Sequence, residues 1–195
     1  MLQEKLKDHH IILASGSPRR QQFFKELEID FEIRLKPVEE VYPSELKGIE
    51  ITNYLAELKA APFEGELNTG DILITSDTIV WQENKALEKP KDPAQALEMI
   101  KALCGKTHEV ITSVCFKTPE KIRTVHAVTK VTFSNLEEDE IRHYIDRYRP
   151  FDKAGAYGIQ EWIGLIGVEH IEGSYFNVVG LPTHLVYQTL LEIAE

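Results

Sequence analysis

Near the N-terminus, Ser15-Gly16-Ser17-Pro18-Arg19-Arg20 sets two hydroxyls directly ahead of two guanidiniums. Ser17 suits a helix N-cap and Pro18 the first helical position, so these side chains surround a helix start whose N–H groups lack partners. Acidic residues are favoured in a first turn, and two arginines there oppose the dipole. A polyphosphate seated on the turn reconciles them, because guanidinium forks match phosphate oxygens in bidentate pairs. A plain helix start with both arginines in water is the alternative. A second stretch, from Asp71 to Trp81, is an apolar strand interrupted by Thr75-Ser76-Asp77-Thr78. A carboxylate inside a strand calls for a counter-charge, a hydrogen bond or a metal, which makes Asp77 the candidate for proton transfer. The competing reading is a strand-end or bulge residue at a sheet edge.

Other candidates are single residues. Glu40 follows Pro37 in a loop, Lys59 sits at the edge of an apolar helix stripe, and Lys89 precedes Pro90. A loop glutamate is ordinarily solvated, and an edge lysine can send its amine to water or into a cleft. Gln160 ends a loop and carries an amide that both donates and accepts, as reading a nucleobase edge requires; a polar loop end is the plainer account.

The elements that must place these groups follow from periodicity. Ile11 to Ala14 reads as a short buried strand, followed by a helix from Pro18 to Leu27 with Phe23, Phe24 and Leu27 inward. Residues 1–10 read as a frayed polar lead-in, and 31–35 as a second strand. The spacing of Ile51, Leu55 and Leu58 predicts a helix over 49–61. Glu83-Asn84 is a turn signal, and Asp92-Pro93 opens a helix that ends at Gly105 with Ala96, Leu97, Ile100 and Leu103 inside. Strands over about 108–117 and 122–133 form an antiparallel pair, with Val125, Ala127, Thr129, Val131 and Phe133 on one face and His126, Lys130 and Thr132 on the wet one. A helix over about 137–148 follows, with Ser134 and Glu137 as its capping box. The loop 149–160 is crowded with Ala154, Gly155, Ala156 and Gly158, which points to close approach of its backbone to a ligand or another segment. A strand over about 164–171, a turn at Gly173 and a final helix opened by Pro182 complete the pattern.

Bulk properties narrow the function. The net charge of −10 argues against a general nucleic-acid binder, so the basic pair Arg19-Arg20 stands out. Cys104 and Cys115 cannot make a disulfide framework or a metal spacing, no apolar run reaches transmembrane length, and the opening residues lack a signal-peptide pattern. A cytoplasmic protein with neither membrane nor nucleic-acid partner is expected, without repeats or linkers.

In their order, Ser15-Gly16-Ser17-Pro18-Arg19-Arg20, Ser76-Asp77-Thr78, Glu88-Lys89-Pro90 and Asp152-Lys153-Ala154-Gly155-Ala156-Tyr157-Gly158-Ile159-Gln160 resemble the Maf family of nucleoside triphosphate pyrophosphatases. The resemblance runs from about residue 11 to Gly180-Leu181-Pro182. It implies one α/β domain over 1–195, similar to the inosine triphosphate pyrophosphatases, with an elongated mixed β-sheet, flanking helices and two lobes around a central cleft. It also implies hydrolysis of a nucleoside triphosphate to the monophosphate and pyrophosphate with Mg²⁺ or Mn²⁺, commonly as a homodimer. Asp77 falls on the general base, with Lys59 and Lys89 beside it in the chemistry, Ser15, Arg19 and Arg20 on substrate and Glu40 on metal. Which carboxylate takes the metal and which the proton stays open. Within the family, Arg19, Thr78 and Gln160 resemble the branch acting on dTTP and UTP, and an uncharged glutamine suits the imide edge of uracil or thymine. The sister branch acting on 7-methyl-GTP carries an aromatic residue, a glutamine and a glutamate at those places. A purine pyrophosphatase of the ITP type and a non-catalytic regulator of cell division are the competing functions. Ser76 departs from the family, where alanine or glycine is frequent, as does Glu161-Trp162 after Gln160.

Overall fold

The unbroken apolar run Ile11-Ile12-Leu13 forms a strand with all three side chains buried, as expected of a parallel strand inside a covered sheet. The computed structural model describes all residues from Met1 to Glu195. In chain order the strands are β1 (His10–Leu13), β2 (Glu32–Ile33), β3 (Asp71–Gln82), β4 (Lys85–Leu87), β5 (Thr107–Lys117), β6 (Ile122–Phe133) and β7 (Val168–Glu172). The helices are α1 (Leu2–Lys5), α2 (Pro18–Glu26), α3 (Ile49–Ala60), α4 (Pro93–Leu103), α5 (Glu138–Tyr148), α6 (Trp162–Gly167), α7 (Tyr175–Val179) and α8 (Thr183–Ile193). The fold is a mixed α/β one, with the strands in the order β2-β1-β3-β5-β6-β7 and β4 paired to β3. β1 is parallel to β2 and β3, with Ile12 opposite Glu32 and Leu73. β3 with β4 and β6 with β7 are antiparallel.

Two compact units divide the chain, each assembled from separated stretches. The first contains Met1–Asp77, Thr112–Ala127 and Gly180–Glu195, and the second Thr78–Ile111 and Val128–Val179. In the first, Ile12, Ala56, Ala60, Phe63, Leu73 and Cys115 are fully buried against one another. In the second, α4 contributes Ala96, Leu97, Ile100 and Leu103 to a core shared with Ile141, Tyr144 and Ile145 of α5. The β6 alternation holds, with Thr129, Val131 and Phe133 buried and His126 and Lys130 exposed.

Local chemistry changes several expected boundaries. The lead-in is ordered as α1, because Leu2 and Leu6 are buried at 3% and 7% exposure. β2 shrinks to two residues, both exposed. β3 continues through the polar run without a break. Glu83 and Asn84 turn the chain with φ of 48° and 61°, the conformation that joins two-residue hairpins, and so create β4. At α5 the capping box is Glu137 with Glu140, while the Ser134 hydroxyl donates to the Gly167 carbonyl. The expected strand over 164–171 starts only at Val168, since 162–167 is the helix α6. The stretch before Gly180 is helical, as α7.

His108 is buried at 2% exposure in the second unit, with Nε2 2.8 Å from the Tyr157 hydroxyl. Desolvation pushes its pKa down to about 4. An unfolded chain binds that proton near the ordinary value while the folded chain does not. The stability it contributes is therefore complete above about pH 6.5 and is lost as pH falls through 4, a difference of about 3 kcal/mol. Urea unfolding at pH 7.5 and 4.5 is expected to show a drop in midpoint that His108→Gln reduces; equal drops in both proteins would contradict this.

Candidate active site

Ser15 stands just after β1 and is buried at 7% exposure. Its hydroxyl accepts from the Ser17 N–H at 3.3 Å, and its carbonyl accepts from Gln21 Nε2 at 3.1 Å. Ser17 holds the N-cap position with extended backbone but makes no side-chain cap bond, and Pro18 follows at the start of α2 as expected. The first turn of α2 contains no acidic residue and two arginines, Arg19 and Arg20, both half-buried.

Arg20 reaches across the first unit. Its Nε donates to the Gly180 carbonyl at 2.9 Å and its Nη1 to the Ser76 carbonyl at 2.8 Å. Burial pushes its pKa below the ordinary value, against the opposing pull of Asp77. Arg19 adds to the lowering and Glu40 to the pull, so these four charges share one neighbourhood.

Asp77 is the last residue of the first unit on β3, 7% exposed. Lys59, on the last turn of α3, donates from Nζ to Asp77 Oδ1 at 2.7 Å and pairs with Glu40 Oε2 at 3.0 Å. A lysine one α-helical turn beyond Leu55 therefore turns its amine inward, and one cation bridges the two carboxylates. Glu40 is the open member of the trio, its side chain 45% exposed against 9% for Asp77. Arg19, Arg20 and Lys59 outnumber these two carboxylates by one charge, which favours a polyanion.

The strand places Ser76 beside Asp77, 2% exposed, with a hydroxyl that meets no hydrogen-bonding partner. A buried unsatisfied hydroxyl costs stability, so Ser76→Ala is expected to stabilise the protein by about 1 kcal/mol and raise Tm by about 3 °C. Calorimetry of the two proteins checks this, and a lower Tm in the variant would mean that the hydroxyl has work at the site.

Thr78, Lys89 and Gln160 belong to the second unit. Thr78 is half-buried on β3, Lys89 is exposed after β4, and Gln160 is exposed at the end of a buried loop. The crowding of that loop is against the protein itself. A Cβ on Gly155, whose φ is +67°, would lie 2.8 Å from Val80, and one on Gly158 would lie 2.9 Å from Glu161. The Gly155 N–H bonds the Glu88 carbonyl at 3.2 Å, tying the Lys89 segment to the loop.

Two sets of partners had no mark in the sequence pattern. One is the pair of carbonyls, Gly180 and Ser76, that hold Arg20, because main-chain acceptors leave no side-chain signal. The other is Tyr144, whose hydroxyl reaches Glu161 and Gly158; its inward helical position was legible, its polar end was not.

Comparison with known proteins gives this geometry a context. A family model described as Maf-like protein matches residues 10–193. The protein named dTTP/UTP pyrophosphatase in Flavobacterium johnsoniae is 65% identical over 190 residues, covering 97% of this chain and 98% of its own. That of the same name in Flavobacterium psychrophilum is 58% identical over 191 residues, covering 98% of each. Among solved structures, the Ham1 protein of Staphylococcus aureus is similar at 14% identity and a TM-score of 0.48, over 65% of this chain and 72% of its own.

Proposed function

Because this chain belongs to the Maf family, we propose that it hydrolyses dTTP and UTP, cleaving each to the nucleoside monophosphate and pyrophosphate. It is a hydrolase of nucleoside triphosphates. The observation that carries the reading is Asp77, a carboxylate held inside β3 by Lys59, in a chain 65% identical to a protein named dTTP/UTP pyrophosphatase.

Attack by water on the α-phosphorus needs a proton acceptor and a way to disperse charge on the departing pyrophosphate. Lys59 occupies Asp77 Oδ1, so Oδ2 is the oxygen assigned to orient the water and take its proton. Lys59, held also by Glu40, keeps the carboxylate in one orientation before substrate arrives. Ser15, Arg19 and Arg20 are assigned to the phosphates at the start of α2, and Lys89 to phosphate charge. Thr78 and Gln160 are assigned to the pyrimidine, whose imide edge a neutral amide can pair in both directions.

The residues present fit a divalent ion. Mg²⁺ takes one or two protein carboxylates and completes its shell with water and substrate phosphate, and Glu40 is the more exposed of the two carboxylates that Lys59 bridges. Bound there, Mg²⁺ or Mn²⁺ supplies charge neutralisation for the phosphates. No helix is long and apolar enough to cross a membrane. The net charge of −10 disfavours nucleic acid as a partner, and a cytoplasmic homodimer that uses no membrane is proposed on the family resemblance alone.

Pyrophosphate release from dTTP, UTP, CTP, 7-methyl-GTP and ITP, with Mg²⁺ and with chelator, tests the reading. Metal-dependent turnover of dTTP and UTP above the others is expected. Activity chiefly on 7-methyl-GTP would overturn the assignment of Thr78 and Gln160, and no turnover of any nucleotide would favour a regulator that only binds.

A further inference from the structure

Gln160 is exposed, yet the residues that carry it are locked from three sides. The Glu161 N–H bonds the Gly158 carbonyl at 2.9 Å, closing a tight turn with Gln160 as its third residue. The Gly158 N–H in turn donates to the Tyr144 hydroxyl at 3.0 Å. That hydroxyl donates to Glu161 Oε2, and the other oxygen of Glu161 lies 3.1 Å from Lys153 Nζ. Lys153, 8% exposed, also bonds Asp152 Oδ1 at 2.8 Å. The two residues that begin and end the turn are thus both tied to one phenol, that of the fully buried Tyr144 on α5.

This arrangement is a poor device for stability alone. Buried ion pairs rarely gain more than their desolvation costs, and an apolar replacement of similar volume is often neutral. What a satisfied buried network does provide is a single conformation. The glycines agree, since a Cβ on Gly158 would meet Glu161 and Lys153 at 2.9 and 3.0 Å, and one on Gly164 would lie 1.8 Å from the Ile159 carbonyl. Burial and Glu161 both raise the Tyr144 pKa, which keeps the phenol protonated as the donor to Glu161.

We propose that Tyr144 and Lys153, acting through Glu161, are positioning residues that hold the Gln160 turn in its base-reading conformation and so set discrimination among pyrimidine triphosphates. The inference rests on the assignment of Gln160 to the base. A reader held in place before binding loses less ordering entropy to its correct partner and cannot rearrange to satisfy a wrong one.

The test measures kcat/KM for UTP and CTP in the wild type, Gln160→Ala, Tyr144→Phe, the double variant and Glu161→Gln, with Tm recorded for each. Tyr144→Phe is expected to lower the UTP:CTP ratio by about tenfold, the scale of a lost bond to a charged group, mainly through KM for UTP with kcat nearly unchanged. The double variant is expected to match Gln160→Ala, because freeing a reader that is already gone changes nothing. Glu161→Gln, which retains the acceptor for Tyr144, gives a smaller fall and serves if Tyr144→Phe does not fold. A lowered ratio in Gln160→Ala with unchanged ratios in Tyr144→Phe and Glu161→Gln would overturn the positioning role. So would additive losses in the double variant. An unchanged ratio in Gln160→Ala overturns the base assignment, and this inference with it.

Discussion

Asp77→Asn is expected to lower kcat by about a hundred- to ten-thousandfold, the range typical of a removed general base, while nucleotide affinity stays close to the wild-type value. The replacement keeps the shape and an oxygen for Lys59, which donates to Oδ1 at 2.7 Å, and the second partner of that lysine, Glu40, is untouched. What disappears is the charged oxygen proposed to take the proton of water. Single-turnover rates with UTP, set beside calorimetric titration of a non-hydrolysable analogue, separate the two quantities. If affinity falls as far as the rate, Asp77 is an anchor for metal or structure and another group carries the proton.

The largest expected effect on stability belongs to Arg20→Met. Its guanidinium satisfies the carbonyls of Gly180 and Ser76, and a thioether can donate to neither. Leaving both acceptors without that donor costs about 3 kcal/mol, or roughly 10 °C in Tm for a chain of this length. Arg20→Lys retains the charge but not the planar fork, so it is expected to recover only part of the loss. Thermal unfolding of the two variants decides the matter. A Tm within a degree of wild type in Arg20→Met would mean that the guanidinium serves substrate alone.

Much of this was legible because the signals were local. Pro18 and Asp92-Pro93 fixed two helix starts, with Asp92 accepting the Gln95 N–H at 2.8 Å, and the alternation of β6 fixed its buried face. Asp77 was legible as a carboxylate that its strand could not tolerate unpaired, and Lys59 as the cation at a helix edge. That these two meet was not legible in the pattern around either residue, and only the resemblance to the Maf family implied that they share a site. They are 18 residues apart, and nothing in either neighbourhood specifies the distance between β3 and the last turn of α3. Residues 162–167 illustrate the converse failure. Their short apolar run fits a strand as well as a helix, and the decision lies with Gly164, whose missing side chain admits the Ile159 carbonyl. Short apolar runs remain ambiguous until their packing is known.

The bond between Arg20 and Gly180 joins residues 160 positions apart, and it has a consequence for synthesis. A ribosome releases Arg20 early and Gly180 late, and β3, which carries Asp77, emerges between them. Throughout that interval the guanidinium has its Ser76 partner at most, and the first unit lacks α8. Until Gly180 emerges, one of the two carbonyls that hold the guanidinium is missing, so a chain paused before residue 180 carries Arg20 less firmly fixed beside Asp77 than the finished protein does.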